Sequence, residues 1–300
     1  MVTTNAKQRR LVLRFLALLG ILVFAYGMAP GVQLGGTLAR LPDSTWAGKR
    51  VVMLNSFGDY FSPGENGEPR LIKASGLSVN VVSVVDHVEG NRVWIKANGA
   101  GDAAIGWLDK GNVILLEDAI PYFTSLIDRN PNDWDAYFRR AESEHSLNQR
   151  DAAINDYSSA IRLHPDEPFL YLRRGRSFKI LKAWGRALGD FDEAIRLRPQ
   201  WAELYNMEAG IYSDCPDPHY RDPQKAISLI EHAIALDIQH PTYLTVLAYA
   251  YAQAGQLEKA ITTQKQALDS PLFPPGYRQE ATLQLRKYEE ALAARKDDKH

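Results

Sequence analysis

Small residues recur at a fixed interval along the second half of the chain. One series is spaced by 34, 34 and 39 residues, and its members are Ala141, Gly175, Ala209 and Ala248. A second series keeps the same intervals in another order, at Ala153, Ala187, Ala226 and Ala260. Proline recurs every 34 residues, at Pro131, Pro165 and Pro199. This pattern predicts a repeated pair of antiparallel helices, because small residues let two helices approach closely and a proline ends the second helix.

The period divides residues 118–273 into a half repeat and four full repeats. The full repeats are predicted at residues 134–167, 168–201, 202–240 and 241–274. Residues 119–131 have the pattern of a second helix without its partner. Residues 275–296 carry an apolar stripe that predicts a capping helix, followed by a polar tail at 297–300.

The third repeat is five residues longer than the others, and the extra residues fall in a proline-rich stretch between its two helices. That stretch contains side chains of metal-ligand type at Asp214, Cys215, Asp217, His219 and Asp222. Their spacing and the prolines between them favour an ordinary surface loop that tolerates an insertion. We therefore expect no metal site.

Residues 47–117 show a different pattern, with short β-branched or alternating runs between glycine-rich turns. Arg50–Leu54, Leu77–Val85 and Asn91–Ala97 are examples of such runs. Short strands at close spacing predict a small β-barrel or sandwich.

The N-terminal residues combine positive charge with an apolar run. Residues 1–10 are basic, residues 11–28 are apolar apart from Arg14, and residues 31–46 form a linker. The segment 11–30 predicts either a single membrane anchor or a signal peptide. An anchor in the inner (cytoplasmic) membrane would keep the N-terminus in the cytoplasm and place the bulk of the chain on the outer side. Cleavage near Gly27 would instead give a secreted or periplasmic protein.

Composition narrows the possible functions. Thirty-five Lys and Arg against thirty-six Asp and Glu give a net charge of −1, so the sequence predicts no nucleic-acid partner. A single cysteine excludes an internal disulfide framework. The sequence contains no phosphate-binding glycine loop, no zinc-protease motif and no nucleophile elbow. We therefore expect neither catalysis nor a cofactor.

The 34-residue order of small, aromatic, small and proline positions resembles the tetratricopeptide repeat. The resemblance implies an all-α superhelix whose first helices line a concave groove for a partner peptide or helix. The candidate groove residues are Phe138, Arg139, Glu142, Phe169, Leu172, Arg173, Arg176, Asn206 and Tyr249. Repeats that grip chaperone tails use a Lys and Asn pair where this chain has Phe138 and Glu142, so that clamp is absent.

Two arginines also recur with the period and precede an aspartate by 16 residues. Arg140 is followed by Asp156, and Arg174 by Asp190. The equivalent positions predict an ion pair within each of the first two repeats.

The run NRVWIKANGAGDAAIGWLDKGNVI resembles the C-terminal half of a bacterial SH3-like domain. Trp94 and the Gly106-Trp107 pair occupy the places that this pattern requires. The resemblance implies a barrel that binds peptides or cell-wall components, with Trp94 and Trp107 as either core or binding residues. The sequence thus predicts a small all-β SH3-like barrel followed by an all-α repeat superhelix. The predicted function is a protein-binding scaffold at the outer face of a membrane, with peptidoglycan binding as the alternative.

Overall fold

The computed structural model describes residues 45–54, 59–63, 69–73, 82–96, 106–237 and 240–297. Within these residues, an antiparallel sheet is followed by ten α-helices. The predicted basic N-terminus at residues 1–10, the apolar segment 11–30 and most of the linker lie outside them.

The sheet has seven described strands. They are β1 (Arg50–Met53), β2 (Asp59–Pro63), β3 (Pro69–Lys73), β4 (Val82–Glu89), β5 (Arg92–Lys96), β6 (Gly106–Asp109) and β7 (Val113–Leu115). Their order is β3-β2-β6-β5-β4-β1-β7, and the pairs are antiparallel. Because β3 and β7 each have one neighbour, the sheet is open, and the predicted SH3-like barrel is not confirmed.

The apolar residues of strand β1 are buried on both faces of the sheet. Val51 and Met53 pack into a core with Val85 and Val93 on one face of the sheet. Val52 points to the other face and joins the core of the helices. Successive strand residues face opposite sides, so the continuous apolar run of β1 serves two cores.

The helices follow β7 directly. They are α1 (Leu116–Arg129), α2 (Trp134–Ser146), α3 (Arg150–Leu163), α4 (Pro168–Ile180), α5 (Trp184–Leu197), α6 (Ala202–Asp214), α7 (Pro223–Leu236), α8 (Pro241–Gln253), α9 (Leu257–Asp269) and α10 (Pro275–Asp297). Each predicted full repeat contains two of them, α1 is the half repeat and α10 follows the last repeat. Side-chain caps and first-turn prolines mark the N-terminus of several helices. At the start of α2, Asp133 accepts from the Ala136 amide at 3.1 Å, and Pro168 is the first residue of α4.

The close helix contacts predicted from the small residues are confirmed. The alanines of both series have no exposed surface. At Gly175, an added Cβ would lie 2.6 Å from Cε1 of Phe191 and 3.2 Å from Cβ of Asp190. Helices α4 and α5 therefore approach so closely that a larger residue does not fit at Gly175.

The backbone conformation of the turn between the two helices of a repeat explains why the third repeat is longer. Asn148, Lys182 and Gly255 occupy equivalent places in the short turns, and each has positive φ, between 58° and 77°. The period puts Pro216 at this place in the third repeat. Proline fixes φ near −65°, so it does not adopt this conformation and the chain takes a longer path.

That longer path is ordered by local contacts. Asp217 accepts from the His219 amide at 3.0 Å, and Asp222 accepts from the Lys225 amide at 2.9 Å, which caps α7. Cys215 is buried in the core of the first three repeats. No three His, Cys, Asp or Glu side chains in the described part of the chain are grouped as a metal site.

No helix in the described residues combines the length and the apolar character that a membrane crossing requires. The 23 residues of α10 are numerous enough, but charged side chains occur along its whole length. The placement of the chain as a single-pass protein of the inner membrane is therefore corrected: the structure does not support it.

Candidate functional site: the first-helix face

The first helices of the four repeats, α2, α4, α6 and α8, lie side by side and form what we call the first-helix face. Contacts between neighbours define it. His145 Nδ1 lies 3.1 Å from Ser177 Oγ, between α2 and α4. Arg176 Nη1 donates to Glu203 Oε1 at 3.4 Å, between α4 and α6. Tyr249 donates its hydroxyl to Asp214 Oδ1 at 2.7 Å, between α8 and α6.

The N-terminal part of this face is filled. The predicted groove residues that are buried here are Phe138, Arg139, Glu142, Phe169 and Leu172. Arg139 is only 2% exposed and donates to the backbone carbonyl of Met53 in β1. Arg50 at the start of the same strand donates to the Ser146 carbonyl at 3.0 Å. The sheet covers Arg139, and the other four side chains are buried in the packing of the helices, so none of the five lines an open groove.

A buried polar network lies behind the filled part. Tyr157 donates to Glu142 Oε1, and Arg173 Nε lies 3.5 Å from the same oxygen. The Arg173 guanidinium also lies over the Phe169 ring, 4.6 Å from its centroid. Burial lowers the pKa of His145 to about 4; Glu142 opposes this shift and nearby arginines reinforce it. The imidazole is therefore neutral at neutral pH, and it does not add to the charge of the arginines.

The face opens from α4 onward. The Arg176 side chain is 42% exposed and that of Glu203 is 35% exposed. Asn206 is half-buried, and its Oδ1 is a buried atom without a hydrogen-bond partner in the described part of the chain. Tyr249 is half-buried, and burial with its hydrogen bond to Asp214 raises its pKa to about 12. Of the predicted residues, the structure thus leaves Arg176, Asn206 and Tyr249 accessible.

A gap in this open part is caused by a glycine. Gly210 follows Arg176 by one period, so a position that carries a long side chain on α4 carries none on α6. The nearest atom to a Cβ built at Gly210 is Lys179 Nζ at 3.4 Å, and no other contact lies within 4 Å. We missed Gly210 as a site residue from the sequence, although the register of the repeat contained the signal.

The ion pairs predicted in the first two repeats are confirmed. Arg140 donates to both carboxylate oxygens of Asp156 at 2.6 and 2.8 Å, and Arg174 does so to Asp190 at 2.9 and 2.7 Å. Each arginine also reaches a hydroxyl of the preceding second helix at 3.0 Å; these hydroxyls belong to Thr124 and Ser158. The aspartates are buried, so the pairs are internal bridges.

The third repeat has Glu208 at the place of these arginines and Asp192 at the place of the hydroxyls. Glu208 is 2% exposed. Burial first, and then the hydrogen bond and charge of Asp192, raise the pKa of Glu208 to about 8, while Lys225 acts in the opposite direction. A carboxyl pair therefore replaces the arginine bridge between the second and third repeats.

The sheet carries the other two predicted site residues. Trp94 and Trp107 are half-buried on the face opposite to the core residues Val93 and Leu108. Their ring centroids are 5.3 Å apart, and His87 stacks on Trp94 at 6.0 Å. The structure brings the two tryptophans together on the face of the sheet opposite to its core residues.

The stacked helix pairs and their shared face define a helical-repeat protein of the solenoid class, in which each repeat packs on its neighbours. The tetratricopeptide-repeat family profile matches residues 116–168, 145–201 and 221–276. The chain therefore contains tetratricopeptide repeats, a fold that generally mediates protein–protein interactions.

Solved structures with a similar fold include other repeat proteins. MamA is 19% identical, with 53% of this chain and 89% of that chain covered, at a TM-score of 0.47. TTC0263, a thermophilic repeat protein in Thermus thermophilus, is 22% identical over 59% and 91% of the two chains, at 0.43. YrrB, a repeat protein with an unusual peptide-binding site, is 19% identical over 55% and 89%, at 0.43. No curated protein matches the chain.

Proposed function

We propose that the protein is a non-enzymatic interaction scaffold that binds an extended segment of a partner protein on the open part of the first-helix face. The observation that carries this proposal is the contrast along that face. Arg139 on α2 is buried against the sheet, whereas Arg176, Asn206 and Tyr249 on α4, α6 and α8 are only partly buried. A surface of this kind mixes aromatic and polar groups, which suits an extended peptide.

The gap at Gly210 supports this location of the groove. Glycine in the middle of a helix is unfavourable by about 0.5–1 kcal/mol relative to alanine, so it needs a reason such as close approach of another backbone. Among the described residues no helix fills the space, since a Cβ at Gly210 would meet only the end of Lys179. A bound peptide is the object that the gap accommodates.

The structure gives no support to peptidoglycan binding through Trp94 and Trp107. That alternative rested on a closed barrel, and the strand order of the sheet is open.

The test blocks the groove without damaging the fold. A photo-reactive amino acid at position 206 of the full chain identifies the partner, and its affinity is then measured with purified proteins. Gly210→Leu places a side chain in the gap, and we expect it to weaken binding at least tenfold. The matched control is Gly189→Leu on the exposed side of α5, where a Cβ meets nothing within 4 Å. A partner that binds Gly210→Leu as well as the wild type would show that the groove is not its site.

A further inference from the structure

We propose that the turn between α4 and α5 is a docking surface for a protein segment that presents an apolar side chain between carboxylates. We call it the second-repeat turn and define it as Ile180, Leu181 and Lys182. It is a contact separate from the groove of the proposed function, because Arg176, the accessible groove residue of α4, lies four residues before Ile180.

The first observation is an uncovered apolar pair. Ile180 is 52% exposed and Leu181 is 41% exposed. In the described part of the chain, the other large hydrophobic residues with comparable exposure are Leu272, Tyr277 and Leu283. Of these five, Ile180 and Leu181 alone are adjacent in sequence. Single apolar side chains are common on protein surfaces, whereas adjoining ones form a patch that a partner can bury.

The equivalent place is covered in the two neighbouring repeats. In the first repeat Leu147 is half-buried against the helix core, and Arg50 of the sheet donates to the carbonyl of the preceding Ser146 at 3.0 Å. In the third repeat Cys215 stands at the place of Leu181 and is 3% exposed. Apolar residues are thus covered on both sides of the second-repeat turn, whereas Leu181 has no such cover within the described residues.

The second observation is the charge around the pair. Residues 168–189 contain six Lys and Arg and no Asp or Glu. Three arginines in the middle of α4 pair with acidic residues of adjacent helices, whereas Lys182 and Arg186 form no ion pair with a described residue. The Arg186 guanidinium lies 4.5 Å from the centroid of the Phe178 ring, which holds it beside the end of α4. Carboxylates on the partner complement this surface.

The third observation is the backbone of Lys182. Its φ is 58°, in the left-handed region that favours glycine. The equivalent turns have Asn148 and Gly255, and both residue types adopt this region readily. A lysine is less stable here than a glycine would be, and strain of this kind is retained where a side chain has a function. The ammonium group, which neither Asn148 nor Gly255 provides, is the property that the partner uses.

The neighbouring loop of the third repeat favours a protein segment over an anionic membrane. The Tyr220 hydroxyl would lie 3.0 Å from a Cβ built at Gly185, so this loop packs at the start of α5. The same loop exposes Asp217 and Asp222. These carboxylates repel a broad anionic surface that approaches Leu181, whereas a narrow segment reaches the turn without meeting them.

The experiment measures the binding of labelled peptides to the full chain by fluorescence anisotropy. The reference peptide has a central leucine with two glutamates on each side, and both ends are blocked so that no terminal carboxylate contributes. A second peptide has glutamine in place of each glutamate, and a third has serine in place of the leucine. We expect each change to weaken binding about fivefold or more, since it removes either the charge or the apolar side chain.

Variants assign this binding to the turn. Leu181→Ser and Lys182→Gly should each weaken binding of the reference peptide about fivefold, whereas Lys182→Arg should retain it. Lys182→Gly should also raise the urea midpoint, because it relieves the backbone strain. A lysine with a merely structural role would not couple higher stability to weaker binding. Leu283→Ser on α10 is the matched control, because Leu283 is 46% exposed, and it should leave binding unchanged.

The outcomes separate the turn from the groove. Retention of the wild-type affinity in Gly210→Leu, together with its loss in the turn variants, supports a surface that is independent of the groove. Equal affinity for the Glu and Gln peptides overturns the docking surface, and so does an affinity that neither Leu181→Ser nor Lys182→Gly changes. If that unchanged affinity is lost in Gly210→Leu, the peptide binds in the groove, and the proposed function stands without the second surface.

A lipid surface is tested in parallel by sedimentation of the full chain with phosphatidylserine vesicles. We expect no sedimentation above that with neutral vesicles. Sedimentation that Leu181→Ser abolishes, without binding of the reference peptide, would assign the turn to a membrane and overturn the protein partner.

Discussion

The second repeat (168–201) and the third (202–240) share the same helix contacts but differ in the polar groups that join them to their neighbours. Gly175 and Ala209 occupy the same place in the two repeats, and both are buried. Arg174 bridges Asp190 and Ser158, whereas Glu208 at the equivalent position faces Asp192. The small apolar positions therefore maintain the solenoid, and the polar positions differ from repeat to repeat.

The same two repeats differ on the first-helix face. In the second repeat Phe169 and Leu172 are buried, and Arg176 extends from the middle of α4. In the third repeat the equivalent of Arg176 is Gly210, beside the half-buried Asn206. A repeat protein creates a local site in this way by changing exposed or half-buried positions while its helix contacts stay the same.

The largest expected effect follows from breaking the shared contact. Gly175→Leu places side-chain atoms where a Cβ alone would be 2.6 Å from the Phe191 ring, so α4 and α5 must separate. We expect the free energy of unfolding to fall by about 3 kcal/mol, as overpacked cores do. Urea denaturation monitored by circular dichroism measures this change. The exposed Gly189→Leu is the control, and equal midpoints for the two variants would show that the register of the repeats is wrong.

A smaller loss is expected from the polar bridge of the second repeat. Asp190→Ala leaves the Arg174 guanidinium without its carboxylate partner in a site where the Arg174 side chain is 20% exposed. We expect the free energy of unfolding to fall by about 2 kcal/mol. This is less than the roughly 3–5 kcal/mol lost when a fully buried pair is broken, because solvent reaches the arginine. The readout is the urea midpoint.

The exposed pair on the same helix provides the comparison. Glu193 and Arg196 are 2.6 Å apart with side chains 35% and 65% exposed, and Glu193→Ala should have a much smaller effect. A loss from Glu193→Ala as large as that from Asp190→Ala would mean that burial does not determine the strength of these bridges.

The helices and the arginine bridges follow from the sequence because both depend on spacing within or between adjacent repeats. Ala141 and Arg140 find their contacts on the next helix, so a periodic pattern contains the information. The filled part of the face depends on contacts far apart in sequence: Arg139 and Met53 are separated by 86 residues. No local pattern indicates that pairing. The run Val51-Val52-Met53 did contain a signal, since a strand that is apolar at every position is buried on both faces.

The acidic pair between the second and third repeats predicts a pH dependence that the arginine bridges do not have. Burial first, and then Asp192, raises the pKa of Glu208 to about 8 from an ordinary value of 4.5, while Lys225 on α7 acts in the opposite direction. Between these two pH values the folded chain holds a proton that the unfolded chain has lost. The free energy of unfolding therefore falls as the pH rises through this range, and the decrease ends above about pH 8.

Glu208→Gln tests this directly because the amide keeps a hydrogen-bond donor toward Asp192 and does not titrate. We expect the free energy of unfolding of the wild type to fall by about 1–2 kcal/mol between pH 6 and pH 8. One proton can change it by at most about 1.4 kcal/mol in each of these two pH units, so the expected loss is below the limit. Burial also raises the pKa of Glu144, to about 7, so part of the slope belongs to the first repeat and should remain in the variant. The quantity that isolates the pair is thus the difference between the two pH profiles from urea denaturation. If the profiles are parallel, Glu208 does not carry the proton, and the contrast between an arginine bridge in the second repeat and a protonated pair in the third is lost.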